Sequence, residues 1–206
     1  VKERPILFSS PMVRAILEGR KTQTRRKVKL PIKDPLTGCE IAGCEINSLL
    51  RQGEEICKHG VPRDRLWVKE TFTLAEWYGD HYEPAGKPDR RQSLKVLYRA
   101  TEDESLDDIK EMTWKPSIFM PRWASRITLE IEVVRVERLI EITSADAIAE
   151  GVSNRNGQYG VEFGDGVSLG WMQPEGAYRE LWESINGPGS WDANPWVWVI
   201  QFRRVT

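Results

Sequence analysis

The sequence predicts an α+β fold built on a mostly antiparallel sheet that closes toward a barrel, with helices at its flanks. Three observations carry that expectation. Strand-like runs recur at 5–9, 64–73, 94–100, 127–139 and 196–204. Helical spacing with clear start and stop signals appears at 10–18, 144–150 and 175–185. The two kinds of element do not alternate in a βαβ rhythm, which argues against a parallel α/β sheet.

Taken in order, PILFS at 5–9 is a short apolar run and the first strand. Ser9 or Ser10 can cap the helix that follows, and Pro11 suits its first turn. Met12, Val13, Ile16 and Leu17 lie on one helical face, and Gly19 supplies a left-handed stop. The polar run from Arg20 to Arg26 therefore leaves a helix end and is expected outside the core. Prolines and glycines at 31–63 predict loop, with one short helix at 46–51. Leu66, Val68, Glu70 and Phe72 alternate with Trp67, Lys69 and Thr71, as in a strand. Residues 74–92 read as an excursion, 94–100 as a strand and 103–112 as a short acidic helix. Pro116 and Pro121 bound an ordered loop at 115–126, which feeds a long strand whose face switches at Val133 and Val134, the mark of a bulge. Thr143 or Ser144 caps the next helix and Gly151 stops it. Glycines at 153–174 predict a mobile loop. Ala177, Tyr178, Leu181, Trp182 and Ile185 give the third helix its apolar face, which ends at Asn186-Gly187-Pro188-Gly189. WVWVIQFRR at 196–204 is the closing strand. The expected organisation is one domain over 1–206 with loop insertions at 31–63, 74–92 and 153–174.

A chain of 206 residues buries an ample core without staples. No stretch reaches the roughly 20 apolar residues of a membrane span, and the first residues lack a signal-peptide core. Together with three cysteines, an odd count, this predicts a cytoplasmic protein with reduced thiols and no membrane partner. The net charge of −1 argues against long-duplex binding. The charge is uneven, however. Arg14, Arg20, Lys21, Arg25, Arg26, Lys27, Lys29 and Lys33 face only Glu18 in their stretch, a local patch suited to a short or small anionic ligand or to a solvated surface.

The chemistry-bearing candidate is Gly19-Arg20-Lys21-Thr22-Gln23-Thr24-Arg25-Arg26. A lysine shortly before a threonine at a helix exit can set an amine near a hydroxyl. In a dry site desolvation lowers the amine's pKa and lets it take the hydroxyl proton. A carboxylate from elsewhere would orient the amine and pass the proton to a leaving group. Arg26 would hold a phosphate or an oxyanion. The alternative is an exposed basic turn.

That octapeptide has the form G-x-K-x-x-T-x-R, and it resembles the signature of the ASCH domain family. Residues 64–70 (DRLWVKE), 139–143 (LIEIT) running into 149–152 (AEGV), and 198–202 (WVIQF) are similar to later blocks of that family. The loop 120–126 (MPRWASR) resembles a subgroup common in phage and prophage genomes. The resemblance implies a PUA-like β-barrel whose cleft receives a nucleobase or RNA. Small bacterial members are amidohydrolases that deacylate N4-acetylcytidine with a Lys, a Thr and a Glu, and these fall here on Lys21, Thr24 and Glu150. A carboxylate at Glu150 sits badly with the dipole of a helix C-terminus, which suggests another partner for it. This chain is about twice the length those hydrolases need, which puts the substrate in question.

In the 114–126 loop, Trp123 can stack on a base while Arg122 contacts phosphate, or both can be structural. Cys39, Cys44, Cys57 and His59 have the spacing C-x4-C, then twelve residues, then C-x-H, which is not a common zinc frame; no metal or cofactor is expected. With two histidines in the chain, histidine catalysis is not expected either. The expected function is removal of an N4-acyl group from cytidine or a related modified base, in a nucleoside or a short single-stranded nucleic acid. A non-catalytic reader of RNA or a modified base, or a ribonuclease in the same basic cleft, are the alternatives.

Overall fold

The computed structural model describes residues 1–34, 38–77, 82–84, 95–102, 107–110, 112–163 and 166–206. In chain order its elements are β1 (Glu3–Leu7), α1 (Ser10–Leu17), β2 (Gln23–Lys27), β3 (Ile32–Lys33), β4 (Glu40–Ile41), α2 (Ile46–Arg51), β5 (Arg65–Lys69), β6 (Phe72–Trp77), β7 (Tyr82–Pro84), β8 (Lys95–Tyr98), α3 (Asp107–Lys110), β9 (Thr128–Arg138), α4 (Ser144–Ala149), β10 (Ser153–Arg155), β11 (Gln158–Phe163), β12 (Gly166–Trp171), α5 (Pro174–Asn186) and β13 (Trp196–Arg204). The class is α+β with mostly antiparallel pairing, as the sequence predicts.

The main sheet has the order β1-β5-β9-β13-β2. Only β1 and β5 run parallel in it. Among the described residues the sheet stays open, with β1 and β2 as its edges. A side chain spans the gap: Arg26 on β2 donates from Nη2 to the Leu7 carbonyl on β1 at 2.7 Å. Alternate residues of β13 feed two cores, because successive side chains of a strand point to opposite faces. Trp198, Ile200 and Phe202 pack with Phe8, Val13, Ile16, Leu66 and Ile131 on one face. Val197 and Val199 pack with Ala147, Ala177, Tyr178, Leu181 and Trp182 from α4 and α5 on the other.

The bulge falls one residue earlier than the alternation suggested. Gln201 pairs with Val133 and Phe202 with Ile131, so Glu132 is the extra residue. The Gly-rich stretch after α4 differs more. In place of a mobile loop it forms the antiparallel sheet β10-β11-β12. Arg155 pairs with Gln158, and Asn156 and Gly157 between them both have positive φ, 54° and 83°. That is a two-residue hairpin turn of the Asn-Gly kind, whose twist matches the strands it joins. Val161 anchors the sheet in the α4–α5 core. The 31–63 stretch likewise contributes Ile41, Ile46 and Cys57 to the first core. The 74–92 excursion is described in part, as the end of β6 and β7; its other residues, and much of the expected 103–112 helix, lie outside the described residues.

Candidate active site

Strand β2 carries the unexpected feature of the fold. Lys21, Gln23, Thr24 and Arg25, expected outside the core, are all buried. The Gly19 stop (φ 76°) reverses the chain, and the Arg20 and Lys21 amides both donate to the Ala15 carbonyl, at 2.9 and 3.0 Å. The chain then runs straight into the sheet, and the Thr22 amide donates to Ala149 at 2.9 Å, tying the start of β2 to the end of α4. Pairing with β13 sets the faces. Thr24 lies opposite Ile200 and Arg26 opposite Trp198, while Arg25 lies opposite Val199. Thr24 and Arg26 thus share one face and Arg25 takes the other.

Helix α4 brings the carboxylates. The Thr143 hydroxyl accepts from the Asp146 amide, and the Asp146 carboxylate accepts from the Thr143 amide and hydroxyl, which fixes the start of the helix. Glu150 caps its end, followed by Gly151 at φ 104°. A side chain at 151 would come within 3.3 Å of the Ala15 Cβ and 3.5 Å of the Lys21 Cβ, so glycine leaves room for the Lys21 stem.

These pieces converge on Glu150. The Lys21 ammonium donates to Glu150 Oε2 at 2.9 Å and to the Glu150 carbonyl at 2.7 Å. The other carboxylate oxygen, Oε1, lies 3.4 Å from Arg25 Nη1. The second bond answers the misplaced charge noted in the sequence: Lys21 sits on the last carbonyls of α4, where a cation belongs. Burial is the main cause that draws the Lys21 pKa below 10.5; Glu150 opposes the shift, and Arg26 and Arg25 add to it. Arg25 also pairs with Glu137, and with Asp146 at 3.2 Å. Arg135 holds those same two carboxylates at 3.0 Å each.

Lys21, Arg25, Arg26 and Arg135 thus face Glu137, Asp146 and Glu150, leaving one positive charge in excess. It belongs to Arg26. Among the described residues Arg26 meets no carboxylate; its one hydrogen bond goes to Leu7, its buried Nε has no partner, and its guanidinium lies 5.2 Å from the Phe8 ring centre.

A cleft of about 70 Å³ opens beside this cluster, lined by Thr24, Arg26, Glu150, Tyr178 and Trp182 among others. Lys21 stands behind Glu150, its side chain fully enclosed. Burial raises the Tyr178 pKa well above 10, so its phenol stays protonated and can donate.

Arg122 and Trp123, expected to contact substrate, are held elsewhere. Arg122 pairs with Glu3 at 3.0 Å and lies 5.9 Å from the Trp67 ring. Glu3 opens β1 while Leu7, beside Arg26, ends it, about 13 Å along the strand. The short turn Arg122–Ala124 buries Ala124 at 1% exposure, and that rotation leaves Trp123 68% exposed. Cys39 and Cys44 are exposed, whereas Cys57 belongs to the core, where burial pushes its thiol up to about 11.

The sequence places Arg25 only in the basic patch and Tyr178 and Trp182 only on the apolar face of the third helix, and it gives Glu137 and Asp146 no part. Nothing local to these residues signals the site, because they come from distant elements. No family model, curated protein or solved structure matches the chain, so its function has to be read from the site itself.

Proposed function

We propose that the protein is an amidohydrolase that removes the acyl group from N4-acylated cytosine, on an ASCH-type, PUA-like scaffold in which the Arg26–Leu7 bridge takes the place of a completed barrel wall. The observation that carries this reading is the buried Lys21–Glu150 pair, whose carboxylate opens onto the same cleft as Thr24. Burial lowers the cost of removing a proton from Lys21. Glu150, which lines the cleft with Thr24, passes the Thr24 hydroxyl proton back to the neutral amine as Oγ1 attacks the acyl carbonyl. The oxyanion forms beside Arg26, the unneutralised cation of the cluster. The proton crosses the 2.9 Å contact to Glu150, which delivers it to the departing N4 amine as the C–N bond breaks. Water then hydrolyses the threonyl ester by the reverse relay. A cleft of about 70 Å³ is far below the roughly 300–1,000 Å³ that encloses a whole small ligand, so it fits the acyl-amide end and leaves the sugar outside.

Incubation with a panel of N4-acylated cytidines, followed by ultraviolet absorbance, tests the proposal. Hydrolysis is expected with the unaltered protein and is expected to vanish in Lys21→Ala, Thr24→Ala and Glu150→Ala. Full activity in all three variants, or none with any substrate, overturns it. The spare charge of Arg26 favours one second reading, a binder of a modified base that does not turn it over. Salt-sensitive binding of a short oligonucleotide carrying N4-acetylcytidine, without product and lost in Arg26→Ala, would select that reading.

A further inference from the structure

A second cavity, of about 450 Å³, shares no lining residue with the cleft. Its wall includes an unpaired piece of strand edge. Strand β9 follows β13 along its length but pairs with β5 only from Thr128 to Glu130. The next residue on that side is still bonded: the Ile131 amide donates to Asp64 at 2.9 Å and its carbonyl accepts from Arg63 at 2.8 Å. The edge is taken up again at Val136, by a side chain. Asn47 of α2 accepts from the Val136 amide at 2.7 Å and donates to its carbonyl at 2.5 Å.

Between them lies Val134. The N–H and C=O of one strand residue point to the same side, and every second residue shares that side. Val134 therefore aims both groups where Val136 does, toward Asn47 and away from β13. Its opposite number, Ile200, agrees, because the even-numbered residues of β13 face β2: Trp196 accepts from Val28 and Phe202 donates to Thr22, each at 2.9 Å. Among the described residues nothing bonds the Val134 N–H or C=O, and Val134 lines the cavity together with Asn47, Leu50, Arg51, Val61 and Pro62.

We propose that this cavity binds a small molecule carrying a primary carboxamide or a cyclic amide, whose oxygen accepts from the Val134 N–H and whose N–H donates to the Val134 carbonyl. The Asn47 carboxamide makes that same pair of bonds two residues along the strand, so the fold itself already contains the required geometry. The volume lies within the range of small-ligand sites. Leu50, Val61, Pro62 and the Val134 side chain offer an apolar seat for a ring. An apolar ligand alone would cover two strand groups without bonding them, an unfavourable exchange. A peptide strand fits less well, because Asn47 and the 63–64 turn already occupy the edge on either side and leave it one residue to pair with.

Titration of 15N-labelled protein with benzamide, followed by amide chemical shifts, tests this. Saturable shifts are expected at Val134 and at the Asn47 side chain. N,N-dimethylbenzamide keeps the ring and the carbonyl but lacks the donor, and should bind at least about tenfold more weakly. Arg51→Trp, an exposed change at the cavity mouth, should abolish the shifts while leaving the rest of the spectrum in place. The proposal is overturned if Val134 shows no saturable shift, if the dimethyl compound binds equally well, or if Arg51→Trp changes nothing. A capped trialanine that displaces benzamide at lower concentration would assign the edge to peptides instead and overturn it as well.

Discussion

Replacing Lys21 by methionine tests the pair at the centre of the proposed site, because the stem keeps its length while the charge disappears. Both partners are buried, at 2% and 3% exposure, so the remaining Glu150 carboxylate meets water only through the narrow cleft. Removing one member of a buried pair costs roughly 3–5 kcal/mol. Arg25 still reaches the other carboxylate oxygen at 3.4 Å, which places the expected cost near the lower end, about 3 kcal/mol. For a chain of this size each kcal/mol moves Tm by about 2–4 °C, so the melting temperature should fall by about 6–12 °C. Adding Glu150→Gln in the same chain removes the stranded charge and should recover much of that loss, a coupling of about 1–3 kcal/mol in the double-mutant cycle. Urea and thermal unfolding followed by circular dichroism measure the stability, and release of acetate from N4-acetylcytidine measures the activity. All three variants should be inactive, although the double one is stable. Two results would refute the reasoning: Lys21→Met as stable as the parent, or a double variant no more stable than Lys21→Met. Turnover persisting in Lys21→Met would remove the lysine from the mechanism whatever its effect on folding.

Three further outcomes follow from other contacts. Burial works to raise the Asp146 pKa, but its bonds to Thr143 and the charge of Arg25 prevail and hold it at about 2 against an ordinary 3.8. Its stabilisation, about 2 kcal/mol, is then complete above about pH 3.8 and lost as pH falls through about 2, so the stability gap between the parent and Asp146→Asn should close across that window in urea melts. Arg126 holds Glu70, 1% exposed, by two bonds of 3.0 and 2.9 Å, so Arg126→Ala should cost about 3 kcal/mol, recovered in part by adding Glu70→Gln. A Cβ at Gly43 would fall 2.2 Å from the Trp196 indole nitrogen, so Gly43→Ala should destabilise by about 1–3 kcal/mol and alter Trp fluorescence in the folded state.

Much of the scaffold was visible in the residues. Pro11 and Gly19 bracket α1, Thr143 and Gly151 bracket α4, and the apolar run at 196–204 is β13 at its full length. These signals are local: a cap, a stop or a period needs only a few neighbours in sequence. The hairpin at Asn156-Gly157 carries an equally local signal, an Asn-Gly pair at its turn, which the glycine content of the surrounding stretch masks. The burial of β2 was not legible in that way. Nothing within a few residues of Arg25 offers it a carboxylate. Its partners stand on β9 and α4, more than a hundred residues later, and the strand can go inside only once they have arrived.

That dependence says where function belongs in this fold. A charged strand at a sheet edge ordinarily keeps its charges toward water, and bringing them inside is tolerable only if each meets a partner. Lys21 and Arg25 satisfy the condition through Glu150, Glu137 and Asp146, so by themselves they are explained as structure. Two neighbours, Thr24 and Arg26 on β2, do not satisfy it. Arg25 and Arg26 each bury an Nε without a partner, but Arg26 also lacks a carboxylate, and among the described residues nothing hydrogen-bonds the Thr24 hydroxyl. Thr24 and Arg26 both line the cleft, as Arg25 also does from the other face of the strand. Of the four cations in the buried network only Arg26 lacks a carboxylate, so where the network meets the cavity one charge is left for whatever enters it. A stably folded Thr24→Val/Arg26→Met variant that gained nothing in stability would show that water already satisfies both groups and would undo this step.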